Sequence, residues 1–206
     1  MNTQTLKILT SSVHWRNTSE FPKSLMGKQD LCFLQQVPYS IAFNEITDYH
    51  QWIDNRDTGL CIISNNTPMV DKKHKLYCEV YKFDCSPDHN VQHWHAYNID
   101  GLKLVNCLPF DNSDIELMLK SISELLRVCG TGTDVVLIGD FRNGISDRSH
   151  GRSLNYRGFK NHLEDSWYTK VITRTDSTIK ISNITQDEGI TTFDLTRTYG
   201  KKQDSS

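Results

Sequence analysis

The sequence lacks the features that mark secreted chains, membrane proteins and strongly basic nucleic-acid-binding proteins. Its first residues contain no basic segment followed by an apolar core, which predicts that no classical signal peptide is present. No apolar run approaches membrane-spanning length, so no membrane partner is expected. The formal net charge of −2 gives no overall basic bias. Together with the cysteine placement described next, these absences predict an intracellular protein, cytoplasmic or nuclear.

Internal repeats and linker-like segments are also absent. With 206 residues and 37% apolar content, the chain is long enough for one domain with a sizeable core. We therefore expect a single domain over residues 1–206, with its core at about 6–195 and a flexible tail at 201–206. The six cysteines mostly lie inside apolar patterns. This placement favours reduced core thiols over a disulfide framework.

The most informative stretch is Asp-Val-Val-Leu-Ile-Gly-Asp-Phe at residues 134–141. Its apolar run, residues 135–138, is typical of a strand buried on both faces. Gly139 allows close packing where the chain leaves the strand, and Asp140 follows at the strand end. Open α/β sheets usually bind ligands at such strand ends. A carboxylate there indicates metal or phosphate chemistry.

The remaining pattern combines predicted strands with a few helices. A capping box at Ser113 and Glu116 opens an amphipathic helix that Gly130 ends. Further helices are predicted at 44–53 and 159–167, and a hairpin at 171–173 and 178–184. The other predicted strands cover residues 6–13, 30–37, 59–64, 75–83, 91–99, 102–108 and 191–195.

Four stretches, in this order, resemble motifs of the endonuclease/exonuclease/phosphatase family, to which DNase I belongs. Residues 7–13 resemble its opening strand, 29–37 resemble "Pro-Asp-Ile-Leu-Cys-Leu-Gln-Glu-Val", 59–64 resemble "Gly-Val-Ala-Ile-Leu", and 136–141 resemble the "Gly-Asp-Phe-Asn" block. The resemblance covers roughly residues 6–195. It implies an α/β fold, a sandwich of two mainly antiparallel β-sheets flanked by helices. The usual C-terminal strand is expected to be missing.

The family hydrolyses phosphoesters with Mg²⁺ held by a Glu and an Asn, and with a His–Asp pair that activates water. The resemblance places the catalytic Asp on Asp140. The partner Asn falls on Arg142, with Asn143 one step away. The Asp of the penultimate strand matches Asp194.

Other positions depart from the family's pattern. The opening Asn falls on Ser12, the metal-binding Glu on Gln36, and the His or Tyr of the middle strand near Cys107, while the closing Ser-Asp-His motif is absent. An amide oxygen is a weak metal ligand and carries no charge for a dication. Glu45 is an alternative metal ligand, although Gln36 fits the motif better. His150 is an alternative to the missing His, against the simpler interpretation of a coincidental polar loop.

Two further clusters have open interpretations. Arg142, Arg148, Arg152 and Arg157 follow the acidic turn and form either a phosphate-binding rim or ordinary surface charge. Cys85, His89, His93 and His95 could ligate zinc, but structural zinc sites usually show tighter paired spacing.

The resemblance and its departures predict a degenerate DNase I-like domain, catalytically weak or inactive. It would bind a nucleic acid, another phosphate-bearing ligand or a protein. The alternative is a divergent phosphodiesterase that uses Mg²⁺ or Mn²⁺ with Asp140, Glu45 and either His150 or Asp194. A third hypothesis is that a protein partner, or a second copy of the chain, covers the sheet edge left by the missing strand.

Overall fold

The computed structural model describes fourteen stretches of the chain: residues 2–12, 27–37, 50–55, 58–65, 77–84, 91–99, 101–107, 124, 127, 134–141, 159–162, 169–174, 179–187 and 189–199. Within them, the strands in chain order are β1 (Asn2–Ser12), β2 (Leu31–Val37), β3 (His50–Asn55), β4 (Thr58–Ser64), β5 (Tyr77–Asp84), β6 (Val91–Ile99), β7 (Leu102–Cys107), β8 (Asp134–Asp140), β9 (Phe159–Asn161), β10 (Thr169–Arg174), β11 (Ile179–Asp187) and β12 (Ile190–Tyr199).

These strands form two mixed sheets. The first sheet has the order β11-β12-β1-β2-β4-β3, and only its β1–β2 pair is parallel among the described pairs. The second sheet has the order β5-β6-β7-β8-β10-β9, in which β7 and β8 are the parallel pair. The two sheets agree with the predicted sandwich.

The core lies between the sheets. Alternate residues of a strand point to opposite faces, so a strand that borders this layer contributes every second side chain to it. The cluster draws on both sheets and includes Ile8, Phe33, Leu104, Val136, Ile138, Phe193 and Leu195. A second cluster takes the other face of β1 and β2, with Leu9, Cys32, Leu34 and Val37. β2 is therefore buried along its whole length, which confirms the strand predicted at residues 30–37.

Strand β8 confirms the prediction made from residues 134–141. Val135 to Ile138 are fully buried. Gly139 has φ +156°, and a Cβ placed on it would lie 2.0 Å from the carbonyl oxygen of Cys107 on β7. Only glycine fits at this position, because the two parallel strands approach each other there without room for a side chain.

The predicted hairpin at 171–173 and 178–184 is wrong. Its first half belongs to β10, which pairs with β8 and β9 in the second sheet. Its second half belongs to β11, which pairs with β12 in the first sheet, and Gly189 with φ +82° lies between those two strands. Strand alternation identifies each segment as a strand but does not identify its neighbour.

The helices predicted at 44–53 and 159–167 are wrong where the structure describes them. Residues 50–53 belong to β3, and residues 159–161 form β9. Pairing of β3 with β4 outweighs the helical spacing of its apolar residues. The other residues of both segments lie outside the described part of the chain.

Glu124 and Arg127 are helical, and both belong to the helix predicted from the capping box. The Arg127 guanidinium donates to the Glu124 carboxylate at 2.5 and 2.9 Å. The rest of that helix lies outside the described residues, so helical flanking of the sheets stays a prediction. The described stretches include no helix long and apolar enough to cross a bilayer.

The last strand is longer than predicted. β12 continues to Tyr199 and lies between β11 and β1. The absence of a usual C-terminal strand stays a prediction, as do the single domain and its boundaries.

Candidate functional site

The candidate site lies where two pairs of parallel strands end. β1 and β2 run together, and Ser12 stands beside Gln35 in their register. β7 and β8 also run together, with Cys107 beside Gly139. We call the strand ends formed by residues 12, 35–36, 106–107 and 139–140 the carboxyl edge. In mixed and parallel sheets, ligands usually bind at such an edge.

A buried hydrogen-bond network joins the two sheets at the carboxyl edge. The Gln35 side-chain nitrogen donates to the Asn106 side-chain oxygen at 2.6 Å and to the Phe33 carbonyl oxygen at 3.1 Å. Asn106 in turn donates to the carbonyl oxygens of Leu34 at 3.0 Å and Cys61 at 3.1 Å. One side chain of β7 thereby fixes the backbones of β2 and β4.

Gln36 occupies a β-bulge directly after this network. The register between β2 and β4 shifts between Leu34 and Val37, and Gln36 has φ +54°. Its side chain is 3% exposed. Its Oε1 atom is buried and has no hydrogen-bond partner among the described residues. Bulges commonly redirect a side chain beside a functional site, and non-glycine residues rarely adopt positive φ.

Ser12 supplies a second such oxygen. The strand period places it on the same face of β1 as Thr10, whose hydroxyl contacts Gln35 at 3.1 Å. The Ser12 Oγ atom is buried, and the described residues offer it no hydrogen-bond partner. Ser11, one residue earlier, instead donates to the Gly189 carbonyl oxygen at 3.2 Å. The ends of two adjacent strands thus each carry a buried oxygen that no described residue pairs with.

Cys107 provides no reactive group at this edge. Burial raises the pKa of its thiol well above the usual value, and a backbone hydrogen bond from Ile138 opposes this only in part. The thiol donates to the Val105 carbonyl oxygen at 3.4 Å. A protonated, buried thiol cannot activate water as a histidine would.

The described side chains of the carboxyl edge do not fit a Mg²⁺ site. They are a hydroxyl, three amides and a protonated thiol, all neutral, whereas Mg²⁺ in proteins is held through one or two carboxylates. The described stretches contain no group of three or more His, Cys, Asp or Glu that could hold a metal. Glu45 lies outside them. Asp140 is the last residue of β8 at this edge, and its side chain is not among those that the structure describes.

Asp194 is not brought to the carboxyl edge. It stands beside Lys7 on β1, five residues before Ser12, which corresponds to roughly 17 Å along the strand. Its neighbours Phe193 and Leu195 face the core, so Asp194 faces the other side of the sheet. There its carboxylate accepts a hydrogen bond of 2.6 Å from Asn183.

The other predicted site residues lie outside the described part of the chain: Arg142, Asn143, Arg148, His150, Arg152 and Arg157. Their roles stay predictions. Of the four zinc candidates, Cys85 and His89 also lie outside it, and His93 and His95 are two residues apart on β6. His95 is fully buried, and burial lowers its pKa to about 3, which keeps the imidazole neutral.

The sequence-based prediction missed Thr10, Gln35 and Asn106. A signal for them was present, because Leu102 and Leu104 face the core and the strand period places Asn106 in the same row. Gln35 follows Leu31 and Phe33 in the same way. Buried amides need partners, so two core-facing amides in two strands indicate a contact between them.

Comparisons with known proteins identify the fold through structure alone. No family model matches the sequence, and no curated protein matches it either. One similar solved structure is an endonuclease/exonuclease/phosphatase family protein from Bacteroides thetaiotaomicron, with a TM-score of 0.64, 10% identity and 96% of each chain covered. A second is a 3′-5′ exonuclease from Neisseria meningitidis, with a TM-score of 0.60, 13% identity and coverage of 92% of this chain and 98% of that one. A third is D. rerio TDP2 with a single-strand DNA product, with a TM-score of 0.58, 12% identity and coverage of 94% of this chain and 99% of that one. The chain therefore has the DNase I-like fold of the endonuclease/exonuclease/phosphatase family.

Proposed function

We propose that this chain is a DNase I-like domain, catalytically weak or inactive, that binds a nucleic acid or another phosphate-bearing ligand at the carboxyl edge. The observation that carries the proposal is the neutral character of the described side chains there. Ser12 and Gln36 stand where the family resemblance places an Asn and the metal-binding Glu. Loss of a general base alone commonly costs about 10²–10⁴ in rate, and loss of the charged metal ligand adds to that.

Two considerations favour a nucleic acid as the ligand. By their names, two of the compared structures are an exonuclease and a protein holding a single-strand DNA product. Three arginines follow Asp140 in the sequence, at positions 142, 148 and 152. Their guanidinium groups are suited to bidentate contacts with phosphate.

The second candidate function is a divergent phosphodiesterase that uses Mg²⁺ or Mn²⁺. The observation that favours it is the position of Asp140 at the end of buried strand β8, beside a Gly139 that tolerates no side chain. In that mechanism Asp140 and Asn143 would position the phosphate or the water. Glu45 or Gln36 would hold the metal, and His150 would stand in for the missing histidine.

A binding measurement tests the proposal. Labelled single- and double-stranded DNA and RNA are titrated with protein in EDTA over a series of salt concentrations. Wild type should bind, with log Kd rising linearly in log salt. Replacing Arg142, Arg148 and Arg152 by Gln should reduce the salt slope by about 2 for a single strand, at roughly 0.7 per phosphate contact.

The matched control replaces three exposed lysines, Lys28, Lys160 and Lys180, by Gln and so removes the same charge elsewhere. It should bind like wild type. If no oligonucleotide binds even at low salt, the proposal is wrong, and a protein ligand becomes the better hypothesis. If both triple variants lose affinity equally, the arginines form no specific rim.

A further inference from the structure

We infer that Ser12 and Gln36 form a binding site for a hydrogen-bond donor group of the ligand, and that this site works without a divalent cation. The inference rests on the proposed function for the phosphate-bearing nature of the ligand. Its cation independence is a separate claim about the protein itself, so the two can be tested apart.

The first support is the pair of buried oxygens without partners. Folded proteins leave few buried polar atoms unsatisfied, because such atoms have lost their bonds to water. Gln36 Oε1 and Ser12 Oγ both lack a partner among the described residues, and they stand on adjacent ends of parallel strands. Gln4 Oε1 is also buried without a hydrogen-bond partner among the described residues, but it lies near the opposite end of β1. At the carboxyl edge, two such atoms belong to the ends of neighbouring strands.

The second support is the backbone at Gln36. Its φ of +54° and the bulge around it are unfavourable for a residue with a side chain. The preceding residue, Gln35, is held by Asn106 at 2.6 Å, so the surrounding network maintains the unusual conformation. Strain of this kind is concentrated where a side chain must be held in a particular direction.

The chemistry of the two oxygens selects the group that binds. A glutamine Oε1 only accepts hydrogen bonds, and a serine hydroxyl both donates and accepts. The complementary group is therefore an N–H or O–H, such as a sugar hydroxyl or an exocyclic amino group of a nucleotide. Neutral oxygens lack the charge that draws Mg²⁺ out of its hydration shell. A carboxylate at position 36 would supply that charge.

Metal titrations test the cation independence. Mn²⁺ alone is titrated into wild type, Gln36→Glu and Gln4→Glu by calorimetry. Wild type and Gln4→Glu should show no saturable binding up to about 1 mM, whereas Gln36→Glu should gain it. Saturable Mn²⁺ binding by wild type that Gln36→Met abolishes would overturn the inference, because it would show that Gln36 holds the cation. A folded Gln36→Glu that gains no Mn²⁺ affinity would also count against it.

Ligand binding tests the donor site. The labelled single-stranded RNA described above is titrated in EDTA into wild type, Gln36→Met and Gln4→Met, since methionine keeps the volume but removes the acceptor. Gln36→Met should weaken binding about tenfold, the upper range for one hydrogen bond, and Gln4→Met should not. An unchanged affinity in Gln36→Met overturns the donor site even if wild type binds RNA. If wild type binds no RNA, the proposed function fails, but the Mn²⁺ titrations still test whether the site works without a cation. If Gln36→Glu does not fold, the titrations of wild type and Gln36→Met are sufficient for that test.

Discussion

The Gln35 side chain on β2 donates a 2.6 Å hydrogen bond to the Asn106 side chain on β7. Both residues are fully buried, and they belong to different sheets. This contact fixes the sheets relative to each other one residue before Gln36. The geometry of the carboxyl edge therefore depends on an amide pair in the core.

Replacing Asn106 by Leu should destabilise the protein strongly. The change removes the Asn106 donor from the buried Leu34 and Cys61 carbonyl oxygens, and each lost donor to a buried acceptor costs about 1–3 kcal/mol. Urea unfolding followed by tryptophan fluorescence measures the loss. The exposed Gln186→Leu on β11 is the control and should change the free energy of unfolding by less than about 0.5 kcal/mol.

Combining Asn106→Leu with Gln35→Leu should cost less than the sum of the two single changes. Each single variant leaves the other amide without its partner, whereas the double variant removes both polar groups. Strict additivity of the two losses would contradict an energetic coupling between these residues.

Gly139→Ala should prevent or severely impair folding. The added methyl group would lie 2.0 Å from the Cys107 carbonyl oxygen, and backbone cannot move away without breaking the β7–β8 ladder. Gly101→Ala is the matched control. It also has a positive φ, +83°, but no atom lies within 4 Å of its added Cβ, so it should cost only about 1–2 kcal/mol. Soluble yield and thermal unfolding distinguish the two, and equal losses would contradict the close approach of β7 and β8.

Arg197 and Asp134 join the sheets by a partly buried ion pair. The guanidinium Nε and Nη2 both lie 3.0 Å from the carboxylate Oδ2, and the side chains are 10% and 24% exposed. Arg197→Met should cost about 1–3 kcal/mol, below the range for a fully buried pair because water still reaches the carboxylate. The control is Arg127→Met in the exposed pair with Glu124, which should leave the urea midpoint unchanged. Equal effects would show that burial does not matter to the Arg197 pair.

His95 should make the protein less stable in acid. Burial lowers its pKa from 6.5 to about 3 in the folded state, so between these pH values the unfolded chain binds one more proton. Stability is then fully present above pH 6.5 and falls as the pH falls toward 3. His95→Asn should reduce the slope of unfolding free energy against pH, between pH 6 and 4, by about 1.4 kcal/mol per pH unit.

The half-buried His162 provides the comparison for His95. Burial, and then the nearby charge of Lys160, lowers its pKa as well, so His162→Asn should change the slope in the same direction but by less. A His95→Asn variant with the slope of wild type would contradict a neutral, buried imidazole.

Much of the sheet framework was predictable because it is encoded locally. The residue pattern at 30–37 and the apolar run at 135–138 predicted buried strands, and Gly139 predicted close packing at the end of the second one. The neighbours of β10 and β11 were not predictable, because alternation specifies a strand and not its partner. β3 was mistaken for a helix, since its pairing with β4 outweighs the local pattern.

The site was predictable only where a motif marked the position. The strand pattern and the family resemblance both identified Asp140, and the resemblance identified Gln36; both residues stand at the carboxyl edge. Asp194 matched a motif as well, yet it faces the opposite side of the sheet. The bulge at Gln36 arises in its pairing with β4, and its buried Oε1 has no hydrogen-bond partner among the described residues. Neither feature can be inferred from the sequence around residue 36.

The central proposal is that this chain combines the DNase I-like fold with weak or absent catalytic activity. Turnover of labelled single- and double-stranded DNA and RNA, with Mg²⁺ or Mn²⁺ and protein in excess, tests it most directly. Wild type and Asp140→Ala should cleave at the same rate, close to that of buffer alone. Cleavage by wild type that Asp140→Ala abolishes would contradict it and establish the phosphodiesterase.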